Sequence, residues 1–223
     1  FIVNYPSSSS YTEAIEIIVN LLDQTNNFTE ALVLYESFKK PTILMQKVYP
    51  RILYGKAVEY VNDQQLGKGE ELLNKILTLP VSKVTPFANF WKGEIACQGQ
   101  KYDEAIKSLT NYLQSGAGAQ GEANPTTAKY NLGFCQLKKE NYKQAIFYFE
   151  SITKSGPQTT TLQQDAFLRS GDCYFMLKEF SKANLIYEQY INNALPQSDY
   201  ARFQKSLIAG IKSSEAKILM LKE

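Results

Sequence analysis

Histidine is missing from all 223 residues, and its absence removes whole classes of chemistry. Ser-His-Asp and Cys-His activation of a nucleophile cannot be built. Nor can a histidine-ligated zinc or haem site. Cysteine is scarce. Cys97, Cys135 and Cys173 are too few and too far apart for a four-cysteine metal cluster, and an odd count does not suggest a disulfide framework. Their regular placement on the first helices reads as small, inert packing thiols, with a redox or modification role as the alternative. No cofactor or metal is expected. An excess of one charge is lacking too. A net charge of +2 is too small to make nucleic acid or an anionic membrane surface the main partner. No apolar run approaches the roughly 20 residues of a membrane span, and no basic-then-apolar leader is present, so direct membrane insertion is not expected. No stretch sustains a period of two, so no sheet is expected. The start at Phe1, running into Ser7-Ser8-Ser9-Ser10, reads as a piece cut from a longer protein, with any targeting signal outside it. The compartment is therefore open.

What is present is a ruler. Glycines recur inside apolar helical patterns at Gly55, Gly93, Gly133, Gly171 and Gly210, with spacings of 38, 40, 38 and 39. Twelve residues after three of them stand Ala105, Ala145 and Ala183, and four later Leu109, Phe149 and Tyr187. An aromatic precedes each alanine by three, as Tyr102, Tyr142 and Phe180, and "NNFTEALVLYESF" repeats the pattern upstream with Phe28, Ala31, Tyr35 and Phe38. Fixed-period self-similarity of this kind marks a repeat architecture. Each unit is a helix, a tight turn and a second helix. Over 126–139 the apolar residues fall on two adjacent helical faces, so that helix is covered on more than one side. The second helix carries a single stripe of Tyr142, Ala145, Phe149 and Ile152. Gly133 and Ala145 are expected where the two axes cross.

These positions resemble the tetratricopeptide repeat: glycine at repeat position 8, alanine at 20, an aromatic at 24 and proline at 32, here Gly133, Ala145, Phe149 and Pro157. The resemblance covers about residues 12–197 and is most specific in the last three units. It implies an all-α fold, a right-handed α-solenoid of stacked antiparallel helix pairs with about 11 helices. The units run approximately 12–45, 48–83, 86–119, 126–159 and 164–197, after an N-terminal extension at 1–11. The segment 198–223 is a capping helix or the start of a sixth unit, and through it self-association is conceivable. At family level the chain further resembles periplasmic arrays of the TolA-binding and outer-membrane-assembly lipoprotein type, and the stretches 90–113 and 165–191 especially resemble long arrays of Bacteroidota. That favours a periplasmic or envelope-associated setting, with a cytoplasmic adaptor as the alternative.

First helices of such an array line its concave side. Repeat positions 2, 5, 6, 9, 12 and 13 select Lys56, Tyr60, Phe90, Trp91, Glu94, Gln98, Tyr130, Asn131, Phe134, Lys138, Arg169 and Asp172. Their mixture of charges, amides and aromatics suits a protein or peptide segment. Trp91 reads equally as a groove anchor or a packing residue. One subclass of the family grips a C-terminal carboxylate. Asn131 and Arg169 match two of its positions, but Phe90, Glu94 and Asp165 replace the others, and the two acids would repel a carboxylate. The expected function is a non-enzymatic interaction scaffold. Alternatives are a carbohydrate-binding module using the groove aromatics, and an enzyme using Glu94 and Asp172 as an acid–base pair. "GAGAQG" at 116–121 spells a dinucleotide-binding fingerprint, but a helical pattern precedes it where a strand is required. It is expected to be a flexible linker.

Overall fold

The computed structural model describes residue 5, residues 7–154 and residues 159–220, with 215–220 described by backbone alone. Pro157 and Leu221 lie outside the described residues, as do the side chains of Ile218 and Leu219. Among the described residues eleven helices follow one another: α1 (Tyr11–Gln24), α2 (Phe28–Glu36), α3 (Ile43–Asn62), α4 (Leu66–Thr78), α5 (Thr85–Gln98), α6 (Tyr102–Gln114), α7 (Pro125–Lys138), α8 (Tyr142–Thr153), α9 (Thr161–Met176), α10 (Phe180–Asn192) and α11 (Ser198–Met220). No strand occurs among the described residues; one isolated bridge joins Gln120 and Ala123. From α3 onward each helix packs on the next in sequence, the pattern of a solenoid, while α1 and α2 both dock on α3.

Local chemistry sets the helix ends. Asn27, Thr42 and Asn124 each accept a hydrogen bond from a first-turn amide, and Thr160 forms a capping box with Gln163. Pro125 opens α7 at a position where its missing N–H costs nothing. The turns between paired helices repeat one design. Gln64, Gln100, Glu140 and Lys178 have φ of 59°, 59°, 61° and 60°. The amide of the next residue reaches a carbonyl five residues back, as in Gln65 to Tyr60 at 2.8 Å and Asn141 to Gln136 at 2.9 Å. This is a Schellman closure, built without glycine. A left-handed non-glycine residue costs about 1–2 kcal/mol, and glycine there gives back part through unfolded-state entropy, about 0.4–1 kcal/mol. Glu140→Gly is thus expected to stabilise the fold by about 0.5–1 kcal/mol, seen as a higher melting temperature. An unchanged or lower value would contradict this account of the turn.

The fourth residue of every second helix is small and buried: Ala31, Gly69, Ala105, Ala145 and Ala183. Four residues on, Tyr35, Leu73, Leu109, Phe149 and Tyr187 are at most 6% exposed. Counting back twelve from the small residue gives Val19, Ala57, Gly93, Gly133 and Gly171. In the second pair, therefore, Ala57 rather than Gly55 occupies the crossing, opposite Gly69. Gly55 makes a different close approach: a Cβ there would lie 2.3 Å from the Phe28 ring of α2. Gly210, selected by its spacing, meets no atom within 4 Å. In α11 the buried pair is Ala201 and Ile208, repeating Ala128 with Cys135 and Ala166 with Cys173, so the ruler's place falls on Ser206, which is exposed.

Candidate functional site

The register just described decides which side chains reach the inner face. With Ala57 at repeat position 8, the inner positions of α3 are Arg51, Tyr54, Gly55, Val58, Val61 and Asn62. All six border a chain of connected cavities. One, of about 520 Å³, is walled by Val61 and Asn62 of α3, by Phe90, Trp91, Glu94 and Gln98 of α5, and by Thr127 of α7, with Gln64, Glu122 and Asn124 at its edges. A second, of about 510 Å³, shares Asn62, Trp91 and Glu122 with it. A third, of about 830 Å³, shares Arg51, Val84 and Gln120 with the second and extends to Asp23, Lys47 and Lys83. The three form one trough along α3 and α5.

A roof crosses this trough. The segment expected to be a flexible linker folds back instead of bridging loosely. Ala123 is fully buried in the main core. Gln120 and Ala123 exchange amide hydrogen bonds of 2.8 and 3.2 Å, and the Tyr112 hydroxyl donates to the Gly118 carbonyl at 2.8 Å. Gly116 and Gly121 take φ of +67° and +58°, conformations that glycine adopts without a Cβ penalty. The glycines of "GAGAQG" thus shape a strap, and residues 119–122 of that strap border the cavities. No helix opens from it until Pro125, which leaves the dinucleotide reading without its required geometry.

The inner-face residues selected from sequence fall into separate groups. Phe90, Trp91, Glu94 and Gln98 come together in the first cavity. Phe90 is 1% exposed and Trp91 6%. The Trp91 indole lies edge-on to Phe90 at 5.4 Å and donates to the Tyr54 hydroxyl at 3.1 Å. Both aromatics are packing residues that leave little surface open to the trough. Sugar stacking needs an open ring face, and these rings supply none. Asn131 is buried behind Glu94 and donates to its carboxylate, and Gln98 reaches the same group at 3.5 Å. Burial pushes the Glu94 carboxyl above the usual carboxylate range, with the Gln98 and Asn131 donors acting against the shift and Glu122 adding to it. No lysine or arginine is among the described residues that line this cavity.

The remaining candidates are engaged elsewhere. The Lys56 ammonium binds Thr29 at 2.6 Å and Glu59 at 2.9 Å. It lies 4.6 Å from the centre of the Tyr60 ring, and Lys68 lies 5.4 Å from it. Neither Lys56 nor Tyr60 borders the trough, because the two-residue register difference turns them away. Lys138 covers the Phe134 ring at 5.3 Å. Tyr130 donates to Asp165 at 2.6 Å beside a separate cavity of about 420 Å³. Arg169 pairs with Asp165 at 3.3 Å and Asp172 at 3.0 Å, while Asp172 accepts from Tyr187 at 2.8 Å and Tyr200 at 3.0 Å. That network ties α9 to α10 and α11. Asp172 borders none of the trough's cavities, so the structure does not bring it together with Glu94 as an acid–base pair.

The family model described as a tetratricopeptide repeat matches residues 127–159 and 165–198. The chain carries such repeats there, within a fold of the same solenoid kind. No curated protein sequence matches this chain. Among solved structures, the chain is similar to YrrB, described as "a TPR protein with an unusual peptide-binding site", at 19% identity and a TM-score of 0.60, over 84% of this chain and 88% of that one. It is similar to MamA AMB-1 at 17% identity and a TM-score of 0.52, over 78% and 94%. It is also similar to BtubC from P. vanneervenii at 17% identity and a TM-score of 0.54, over 90% and 82%. At these identities the likeness is one of fold.

Proposed function

We propose that this chain is a non-enzymatic interaction module that holds an extended protein or peptide segment in the inner trough, with the cavity beside Trp91 seating a lysine or arginine side chain of that segment. On this reading α1 to α6 make three further, divergent repeats, and their first helices supply the binding face. The observation that carries the proposal is the charge pattern of the trough. Among the described residues, Glu94 and Glu122 face a first cavity that no cation lines; Arg51, in the adjoining cavity that Glu122 also borders, donates to the Leu22 and Thr25 carbonyls, and Lys47 and Lys83 stand exposed at the far end, which Asp23 also lines. Amides of Asn62, Gln64 and Gln98 give an extended backbone donors and acceptors, and Trp91, where it lines the cavity, gives the aliphatic stem of the basic side chain an apolar wall. A cation entering here would relieve the cost of holding Glu94 ionised in a half-buried place. A peptide-binding site is described for YrrB, which shares the fold. An envelope-associated setting is our reading of the resemblance noted from the sequence alone, and fractionation of cells that express the native protein would decide it.

Glu94→Gln tests the site twice over. The folded-state pKa of Glu94 is raised, so the folded protein holds that proton more tightly than the unfolded chain. Stability from this group is full below the unfolded carboxylate range. It falls as pH climbs to the raised folded value and stays lost above it. Glu94→Gln, whose amide oxygen can still accept from Asn131, is therefore expected to melt higher than the parent at pH 7. The difference should shrink as pH drops through the carboxylate range. In binding, selection from a displayed library of random peptides should enrich lysine or arginine among apolar residues. Glu94→Gln and Glu122→Gln should each weaken the selected peptides about tenfold, roughly 1.4 kcal/mol, and more steeply at low salt. Enrichment without basic residues, or unchanged affinity in both variants, would overturn the assignment of the cavity. Binding of glycans in preference to peptides would overturn the proposed function itself.

A further inference from the structure

Cys97 and Cys135 stand at regular repeat positions, and the structure brings their sulfurs to 3.2 Å across α5 and α7. The contact follows from repeat geometry. Cys97 is four residues past Gly93 and Cys135 two past Gly133, and these two offsets face each other between neighbouring first helices. One unit on, the same offsets hold Leu137 and Cys173, which pack in one cluster. The chain thus contains its own control, a cysteine at the same repeat position facing a leucine. Next to the sulfur pair, the Glu94–Asn131 hydrogen bond makes a second rung between the same two helices.

We propose that Cys97 and Cys135 are a disulfide-forming pair that staples α5 to α7 when the protein meets a small-molecule disulfide. The two sulfurs differ in access. Cys97 is partly exposed and Cys135 fully buried, so an oxidant reaches Cys97 first. The Cys135 thiol donates to Cys97, which holds the Cys97 thiol below its ordinary value against the effect of burial and raises that of Cys135. The Cys97 thiolate attacks one sulfur of the disulfide RSSR, the S–S bond breaks, and RS⁻ leaves and takes up the proton released by Cys97. Cys135 then attacks the Cys97 sulfur of the mixed disulfide and expels the second RS⁻, which takes up the proton that Cys135 releases. Two thiols are oxidised, one disulfide is reduced, and two RSH are released. Bond formation needs the sulfurs to close by about 1 Å. The staple would fix the angle between the third and fourth first helices, and with it the wall that carries Glu94.

Incubation of the whole chain with oxidised glutathione, followed by denaturation, alkylation and peptide mass spectrometry, tests this. The expected product has lost two hydrogens, joins the Cys97 and Cys135 peptides, keeps Cys173 alkylated and carries no glutathione. Its melting temperature should rise by roughly 5–10 °C. Cys173→Ser should give the same link. Cys97→Ser should leave Cys135 free and unmodified. A lasting glutathione adduct on Cys97 with Cys135 still free would overturn the proposal. So would three free thiols at the end of the reaction, or a link that involves Cys173.

Discussion

Alanine in place of Trp91 is expected to destabilise the fold by about 3–5 kcal/mol, the range for emptying a buried aromatic site. The indole is 6% exposed. It joins α5 to α3 through the hydrogen bond to Tyr54 and meets Phe90 edge-on; Phe90 in turn packs on Tyr112 at 5.4 Å. Tyr112 tethers the strap through Gly118, so one substitution loosens the wall and the roof of the trough together. Trp91→Phe keeps most of the apolar contact and loses mainly the hydrogen bond, and should cost about 1–2 kcal/mol. Urea titration measures both values. A loss under about 1 kcal/mol for Trp91→Ala would mean that the ring is a free anchor rather than part of the core. The prediction also bears on binding experiments. Lost affinity in Trp91→Ala would report a damaged fold, which is why the carboxylate variants are the sharper probes of the cavity.

Much of the fold is legible in the sequence because its determinants are local and repeated. The small residue of each second helix, the large one four positions on and the apolar faces around them recur at nearly one period, and in the last three units the large residue meets the glycine of its partner helix. Where the period drifts, legibility fails. Glycine is the visible mark of the helix crossing, but an alanine fills the same space, as Ala57 does opposite Gly69. Following Gly55 instead displaces the count by two residues and exchanges Tyr54, Val58, Val61 and Asn62 for Lys56 and Tyr60. The strap is harder still to read. "SGAGAQGEAN" has no apolar period, and its anchors, the Tyr112 hydroxyl and the buried Ala123 methyl, are single groups whose meaning depends on what lies across the trough. Pairing of charges is invisible for a similar reason. Arg169 and Asp172 lie three residues apart, so a shared face is readable, but the tyrosines from α10 and α11 that also reach Asp172 are set by packing between helices. The Cys97–Cys135 contact lies between these extremes. It depends on two offsets that repeat along the chain, yet only in one pair of neighbouring units do both offsets carry cysteine.

Gly133→Leu is expected to destabilise by more than about 2 kcal/mol, in the upper part of the overpacking range of roughly 1–3 kcal/mol. A Cβ at Gly133 would lie 2.6, 2.8 and 3.0 Å from three atoms of the Phe149 ring. Phe149 is fully buried and has the Tyr130 ring 6.0 Å away, so it cannot swing aside without moving α8. The same device recurs where Gly93 meets Leu109 and Gly171 meets Tyr187. The helix-propensity cost of glycine, about 1 kcal/mol, is accepted at these crossings because the large partner fills the space that a side chain would take. Leucine recovers that propensity but adds four carbons to a filled gap. Gly118→Ala is the control. No atom lies within 4 Å of a Cβ there and its φ is not left-handed, so its effect should stay within about 0.5 kcal/mol. Phe149→Ala in the Gly133→Leu background should then restore part of the loss, because the two residues compete for one volume and their effects will not add. Equal melting shifts for Gly133→Leu and Gly118→Ala, or strict additivity with Phe149→Ala, would mean that something other than this glycine sets the spacing of α7 and α8.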